Sequence, residues 1–116
     1  MSGKAVALID GDTITVLRER EQVNVRLVEI AAPEKAQVFG NSSKKSLADL
    51  CFDRTAKLDD EGKDRYGRTL ARVHCDSVGA NAEQVRRCMA WVYQRYASKH
   101  SPLNGVQAEA RAGRWP

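Results

Sequence analysis

Four short stretches of this chain carry side chains suited to handling phosphate: Asp10-Gly11-Asp12-Thr13, Arg26-Leu27, Ala32-Pro33-Glu34 and Asp64-Arg65-Tyr66-Gly67-Arg68. Between them they offer carboxylates able to hold a hard cation, a glutamate able to take a proton, and arginines whose planar forks match phosphate oxygens. Such a set could cut a phosphodiester. Each is weak alone, since Asp-Gly is a common turn pair, an arginine on a strand is usually a surface residue, and a Pro-Glu step is usually a solvated loop. The specificity lies in their conjunction and order. Position 31 matters as much, because Ala31 stands where one more metal-binding carboxylate would be sought.

The elements that must position these residues follow from hydrophobic period. Val6 and Leu8 alternate before the Asp10-Gly11 turn, Ile14 and Val16 after it, and Val23, Val25 and Leu27 beyond the charged tip Arg18 to Glu21, which predicts a three-stranded meander. Val23, Val25 and Leu27 share one face of the third strand, so Arg26 must point to the other. From Asn41 the period becomes helical through Leu47, Leu50 and Cys51, with Asn41 or Ser42 as the cap. Thr55 to Asp59 and Arg68 to Cys75 read as two further strands joined by the polar stretch Asp60 to Gly67. Asn81 with Gln84 resembles a capping pair, opening a helix with the stripe Ala82, Val85, Met89 and Val92. A last helix starts near Ser101-Pro102, buries Leu103, Val106 and Ala110, and stops at Gly113. The fold class expected is α+β, mainly β: a five-stranded OB-fold barrel with three helices, formed by residues 1–116 as one domain.

Composition narrows the function classes less sharply. The charge of +4, from 19 basic against 15 acidic residues, favours polyanionic partners only modestly. No stretch reaches the apolar length of a membrane span, so no membrane partner is expected, and Met1-Ser2-Gly3-Lys4 carries no hydrophobic signal region. The three cysteines, Cys51, Cys75 and Cys88, form no C-x-x-C pair, and His74 and His100 sit in no metal-type cluster. Glycine-rich phosphate loops and the G-x-S-x-G elbow are absent.

With the Val85-Arg86-Arg87 and Ala90-Trp91-Val92-Tyr93 stretches, Glu109-Ala110-Arg111 and Trp115 added to these motifs, the chain resembles the staphylococcal nuclease family, or thermonuclease-like domains, from about Val6 to Trp115. The resemblance implies an OB-fold with three helices and calcium-dependent cleavage of DNA and RNA. It makes Asp12 a calcium-ligating aspartate and Ala32 the donor of a backbone carbonyl to the metal. Glu34 becomes the general base, meeting the metal through water, and Arg26 and Arg68 become the phosphate-binding arginines. Arg65 and Tyr66 match contacts to a terminal phosphate of bound nucleotide, and one of Tyr93 or Tyr96 supplies a further contact. The bond broken would be that to the 5' oxygen, leaving a 3' phosphate.

Family members usually read Asp-Ala-Pro-Glu or Asp-Thr-Pro-Glu where this chain reads Ala31-Ala32-Pro33-Glu34, so one anionic calcium ligand is missing. Calcium binding is expected to be weakened, with water or Glu29 as the ways to fill the vacant ligand position and magnesium as the alternative metal. Three readings compete. The arginine and glutamate set favours a metal-dependent nuclease acting as a monomer on DNA and RNA. Ala31 favours an OB-fold module that binds nucleic acid with lost or residual catalysis. A protein-interaction module has least support, having no reason to keep Arg26, Glu34 and Arg68 together.

A hairpin turn centred near Asp64 would put Asp53 opposite Cys75 and Cys51 just beyond the strand's start, so a Cys51–Cys75 disulfide and two separate thiols fit equally well. Exported relatives of the family tip the expectation toward the bond and toward a periplasmic or extracellular home, with Cys88 a free, helix-buried thiol. A cytoplasmic home stays open.

Overall fold

The computed structural model describes residues 1–34, 36–93 and 101–113. Strands β1 (Ser2–Asp10), β2 (Thr13–Arg18) and β3 (Glu21–Leu27) form the antiparallel meander. β4 (Ile30–Ala31) is two residues long, and α1 (Gly40–Cys51) follows it. Next come β5 (Thr55–Lys63), β6 (Thr69–Cys75), the short β7 (Val78–Gly79), α2 (Ala80–Arg86), the short β8 (Trp91–Val92) and α3 (Pro102–Gly113). The sheet order is β3-β2-β1-β5-β6-β7, and β3 also pairs with β6 in parallel, which closes a five-stranded mixed barrel. A parallel pair cannot be joined by a hairpin, and here α1 and β5 lie between its two strands in the chain. The fold is α+β, mainly β, with three helices, as an OB-fold requires.

Fully buried Ile14, Val16, Val25, Leu27, Leu47 and Val85 meet in the core, as the α1 stripe and the spacing on β3 predict, whereas β2 is buried on both faces from Thr13 to Val16. β1 departs from simple alternation. Bulges between Ala5 and Ala7 and between Leu8 and Asp10 turn the strand, so Ala5 is fully buried while Val6 and Leu8 are only half-buried. Val23, near the outer end of β3, is likewise half-buried.

The expected caps are corrected by tertiary demands. α1 starts at Phe39, in the left-handed region at φ 66° with no side-chain cap, so Asn41 and Ser42 lie inside the helix. Asn81 and Gln84 do not cap α2 either. Asn81 accepts the Val73 amide and donates to the Val28 carbonyl, while Gln84 Nε2 donates to the carbonyls of Gly11 (2.8 Å) and Ser43 (3.1 Å). Both amides are buried and staple α2 to strand and helix, because a buried backbone carbonyl without a partner would cost about 1–3 kcal/mol. α2 also stops at Arg86 instead of running on to Val92. The amides of Met89 and Ala90 both turn back to the Gln84 carbonyl, and Trp91–Val92 pairs antiparallel with Ile30–Ala31. Cys88 therefore sits past the helix, half-buried at φ 61° and not disulfide-bonded.

The β5–β6 hairpin is displaced from the expected register. Cys75 faces Ala56, not Asp53, because Asp64 and Arg68 close the loop around Tyr66 and a bulge intervenes between Asp60 and Lys63. Cys51, at the end of α1, is nevertheless bonded to Cys75, with their α-carbons 5.1 Å apart. The bond ties helix to barrel inside the core, where both residues are essentially unexposed.

Candidate active-site cleft

Asp10 pairs with Thr13, leaving Gly11 and Asp12 as a two-residue connection between β1 and β2. Gly11 packs so tightly that a β-carbon there would lie 1.7 Å from Ser43 Oγ and 3.0 Å from the Ala32 methyl. Only glycine fits, and the Gln84 bond to its carbonyl holds the turn in place. Asp12, 8% exposed, has both oxygens engaged. Oδ1 accepts the Thr13 hydroxyl at 3.0 Å, Oδ2 accepts the Ala32 amide at 3.1 Å, and Arg26 Nη2 lies 3.5 Å from Oδ2. Thus the Ala32 amide meets Asp12, whereas the expectation concerned its carbonyl.

Arg26 faces away from the buried side chains of Val25 and Leu27, and its Nη1 donates to the Leu27 carbonyl at 2.7 Å. Arg68 is aimed by Asp64. The Asp64 carboxylate accepts Arg68 Nε at 2.6 Å and the amides of Tyr66 and Arg68, both at 2.9 Å. Burial raises the pKa of Asp64, but the Arg68 amide and guanidinium and the Tyr66 amide outweigh it, so the carboxyl titrates below its usual range. A folded pKa below the unfolded one adds stability above about pH 4, lost as pH falls through the folded value. Asp64→Asn is therefore expected to lower the denaturation midpoint at pH 7, by a margin that shrinks as the pH falls below about 4 and is smaller at pH 3. Thermal melts at the two pH values check this, and an equal deficit at both would contradict it.

Arg26, Arg65, Tyr66 and Arg68 line a single cleft of about 680 Å³, with Lys63 and Arg72 farther along it. Tyr66 is 75% exposed, and the guanidinium carbons of Arg65 and Arg68 lie 5.9 and 5.7 Å from its ring centre. Glu34 is not on this lining: it lies exposed on the loop after β4, where its amide donates to Gln37 Oε1 and its carbonyl accepts the Gln37 amide. Tyr93 is half-buried off the cleft wall, its amide donating to the Glu29 carbonyl. Tyr96, His100 and Trp115 lie outside the described residues.

Two participants were not anticipated from sequence. Asp64 was read only as part of a motif, although its four-residue spacing from Arg68 was the signal. Arg72 bridges Glu29 and Glu61 across the cleft wall. Its hydrogen bond to Glu61 outweighs burial and, with Glu29 beside it, raises its pKa. Period two from Arg68 through Leu70 puts Arg72 on the same strand face, which would have placed it. Ala31, 9% exposed on β4, presents only a methyl. Among the described residues no group of three or more acidic, histidine or cysteine side chains gathers around a metal-sized position.

Residues 24–115 match the model of the family described as staphylococcal nuclease homologue, a span that holds Arg26, Glu34 and Arg68 but begins after Asp12. An uncharacterized endonuclease of Haemophilus influenzae is 44% identical over 110 residues, covering 94% of this chain and 60% of that protein. A micrococcal nuclease of Shigella flexneri is 38% identical over 121 residues, 97% of this chain and 69% of its own length. A thermonuclease of Staphylococcus hyicus is 35% identical over 78 residues. The chain thus spans 60 to 69% of the first two of these relatives.

Proposed function

Since this chain belongs to the staphylococcal nuclease homologue family, we propose that it is a metal-dependent nuclease hydrolysing phosphodiester bonds of DNA and RNA, acting as a monomer. The observation that carries this reading is the shared cleft of Arg26 and Arg68, two arginines that line the same cavity and so could both reach one bound phosphate. In-line attack builds negative charge on the equatorial oxygens, and fixed donors aimed at that charge contribute on the order of a hundredfold each. Arg68, aimed by Asp64, and Arg26 would supply them. Glu34, exposed and beside the turn that holds Asp12, would take the proton from the attacking water, worth roughly a hundred to ten thousandfold. Arg65 and Tyr66 would hold a neighbouring phosphate at the cleft mouth.

The donor set would hold a cation only loosely, with Asp12 as its one charged ligand and the Ala32 carbonyl as the neutral one. Asp12 already shares its oxygens with Arg26, Thr13 and the Ala32 amide, and Ala31 brings no second carboxylate. When bound, calcium or magnesium would polarise the phosphate and lower the pKa of nearby water. Assays on single-stranded DNA and RNA with millimolar calcium, magnesium or excess chelator test the reading: cleavage is expected with metal and lost in chelator. Robust cleavage in chelator would remove the metal, and no cleavage under any condition would favour a nucleic-acid-binding module. That second reading rests on the same pairing of Arg26 with Asp12 and on Ala31.

The Cys51–Cys75 bond supports an exported home in an oxidising compartment. Thiol titration of denatured, unreduced protein should then find only Cys88 reactive, and three reactive thiols would defeat it.

A further inference from the structure

Among the described residues, the most exposed apolar side chains outside the cleft lie just beyond Glu34 in the chain. Val38 and Phe39 are 78% and 72% exposed, and Phe39 holds a left-handed backbone at φ 66°. Bulky residues adopt that conformation at a cost of about 1–3 kcal/mol, and such strain is kept mainly where it serves a site. Hydrogen bonds tie the segment that carries the pair to residues already described. The mutual hydrogen bonds of Glu34 and Gln37, and that of the Gly40 amide to the Gln37 carbonyl, tie Glu34, Gln37 and Gly40 together. The Ser43 amide donates to the Phe39 carbonyl, and Ser43 itself packs against Gly11, the neighbour of Asp12. Phe39 is therefore about one helical turn, near 6 Å along α1, from Ser43, which packs on the turn that carries Asp12.

We propose that Phe39, with Val38 at its edge, is a base-stacking platform for the single-stranded part of the nucleic acid, on the Glu34 side of the scissile phosphate. The inference rests on the nuclease reading above and adds a subsite to it. Tyr66 already offers a second exposed ring on the cleft, and ion pair and hydrogen bond run from Arg26 to Asp12 and from Asp12 to Ala32, with Glu34 and Phe39 two and seven residues farther along the chain. A strand threaded along that path has a base to place at each end. Charge agrees with this occupant: α1 has no acidic residue in its first turn and continues with Lys44 and Lys45, which suit a phosphate backbone. Base stacking on aromatics tolerates any sequence, because every base has a π-face.

Fluorescence anisotropy of a labelled single-stranded DNA oligonucleotide, titrated in excess chelator so that nothing is cut, tests the platform separately from activity. Phe39→Ala and Phe39→Leu should weaken binding about five- to a hundredfold, and Phe39→Trp should restore it. Phe39→Gly, which relieves the left-handed backbone, should stay folded and weaken binding like alanine. Blunt duplex DNA should show a much smaller loss. Arg68→Ala, measured alongside, separates the two ideas. If Arg68→Ala weakens binding while every Phe39 variant binds like the parent, the platform is wrong and the nuclease cleft stands. If both leave binding unchanged, the cleft reading fails and the platform with it. Sedimentation of the parent as a dimer and of Phe39→Ala as a monomer, with equal DNA affinity, would assign the patch to contact between copies of this chain and overturn the proposal.

Discussion

Arg68→Ala and Glu34→Gln are each expected to lower turnover of DNA by about a hundredfold or more while moving the denaturation midpoint little. The separation follows from magnitudes. A hundredfold in rate is about 2.7 kcal/mol of transition-state stabilisation, whereas an ion pair one-third exposed contributes at most about 1 kcal/mol to folding. Arg68 is 33% exposed, and after its truncation Asp64 keeps the amides of Tyr66 and Arg68 as donors. Glu34 is exposed, and only its backbone is seen bonded within the loop, so the glutamine should fold as the parent does. Arg26→Ala should lose activity to a similar degree with a larger stability cost, because it leaves the buried Asp12 carboxylate without its guanidinium. Steady-state cleavage and chemical denaturation of the same preparations give both quantities. Unchanged turnover in Arg68→Ala would reduce its motif to a hairpin mouth.

Ala31→Asp should produce the second large effect, in the direction of gain. Calcium affinity is set largely by the number of charged oxygen donors, so a second carboxylate beside Asp12 is expected to lower the calcium needed for half-maximal cleavage tenfold or more. Without metal the same substitution should harm stability. Position 31 is 9% exposed and adjoins the Ala32 amide that already bonds Asp12, so a new carboxylate there is desolvated and repelled. Thermal melts read this without activity: the variant should melt below the parent in chelator and gain strongly on adding calcium, by about 2.7 kcal/mol at a hundredfold excess over its dissociation constant. The parent should shift little. Equal calcium shifts in the two proteins would show that Ala31 is not the weak point of the site.

What the residues determined alone is local and periodic. Period two on β3 set which side chains point inward, and hence that Arg26 points away from Val25 and Leu27, because side-chain direction along a strand is fixed by backbone geometry. The helical stripe of α1, the start of α3 and the motifs bearing Asp12, Glu34 and Arg68 were legible for the same reason, needing no knowledge of partners. Tertiary structure decided whatever depends on a distant competitor. Asn81 and Gln84 look like caps within their own helix, but the fold brings the carbonyls of Val28, Gly11 and Ser43 to their side chains, and those claim the amides first. The stripe through Met89 and Val92 reads as helix until Ile30 offers Val92 a strand partner. Arg72 lies on the face of Arg68 by period alone, yet only the folded barrel brings Glu29, 43 residues away, to its guanidinium. Asp12 shows the limit most directly. Its sequence neighbours mark it as a possible ligand, but the charge it faces comes from Arg26, opposite Thr13 on another strand, and pairing between strands is a property of the closed barrel.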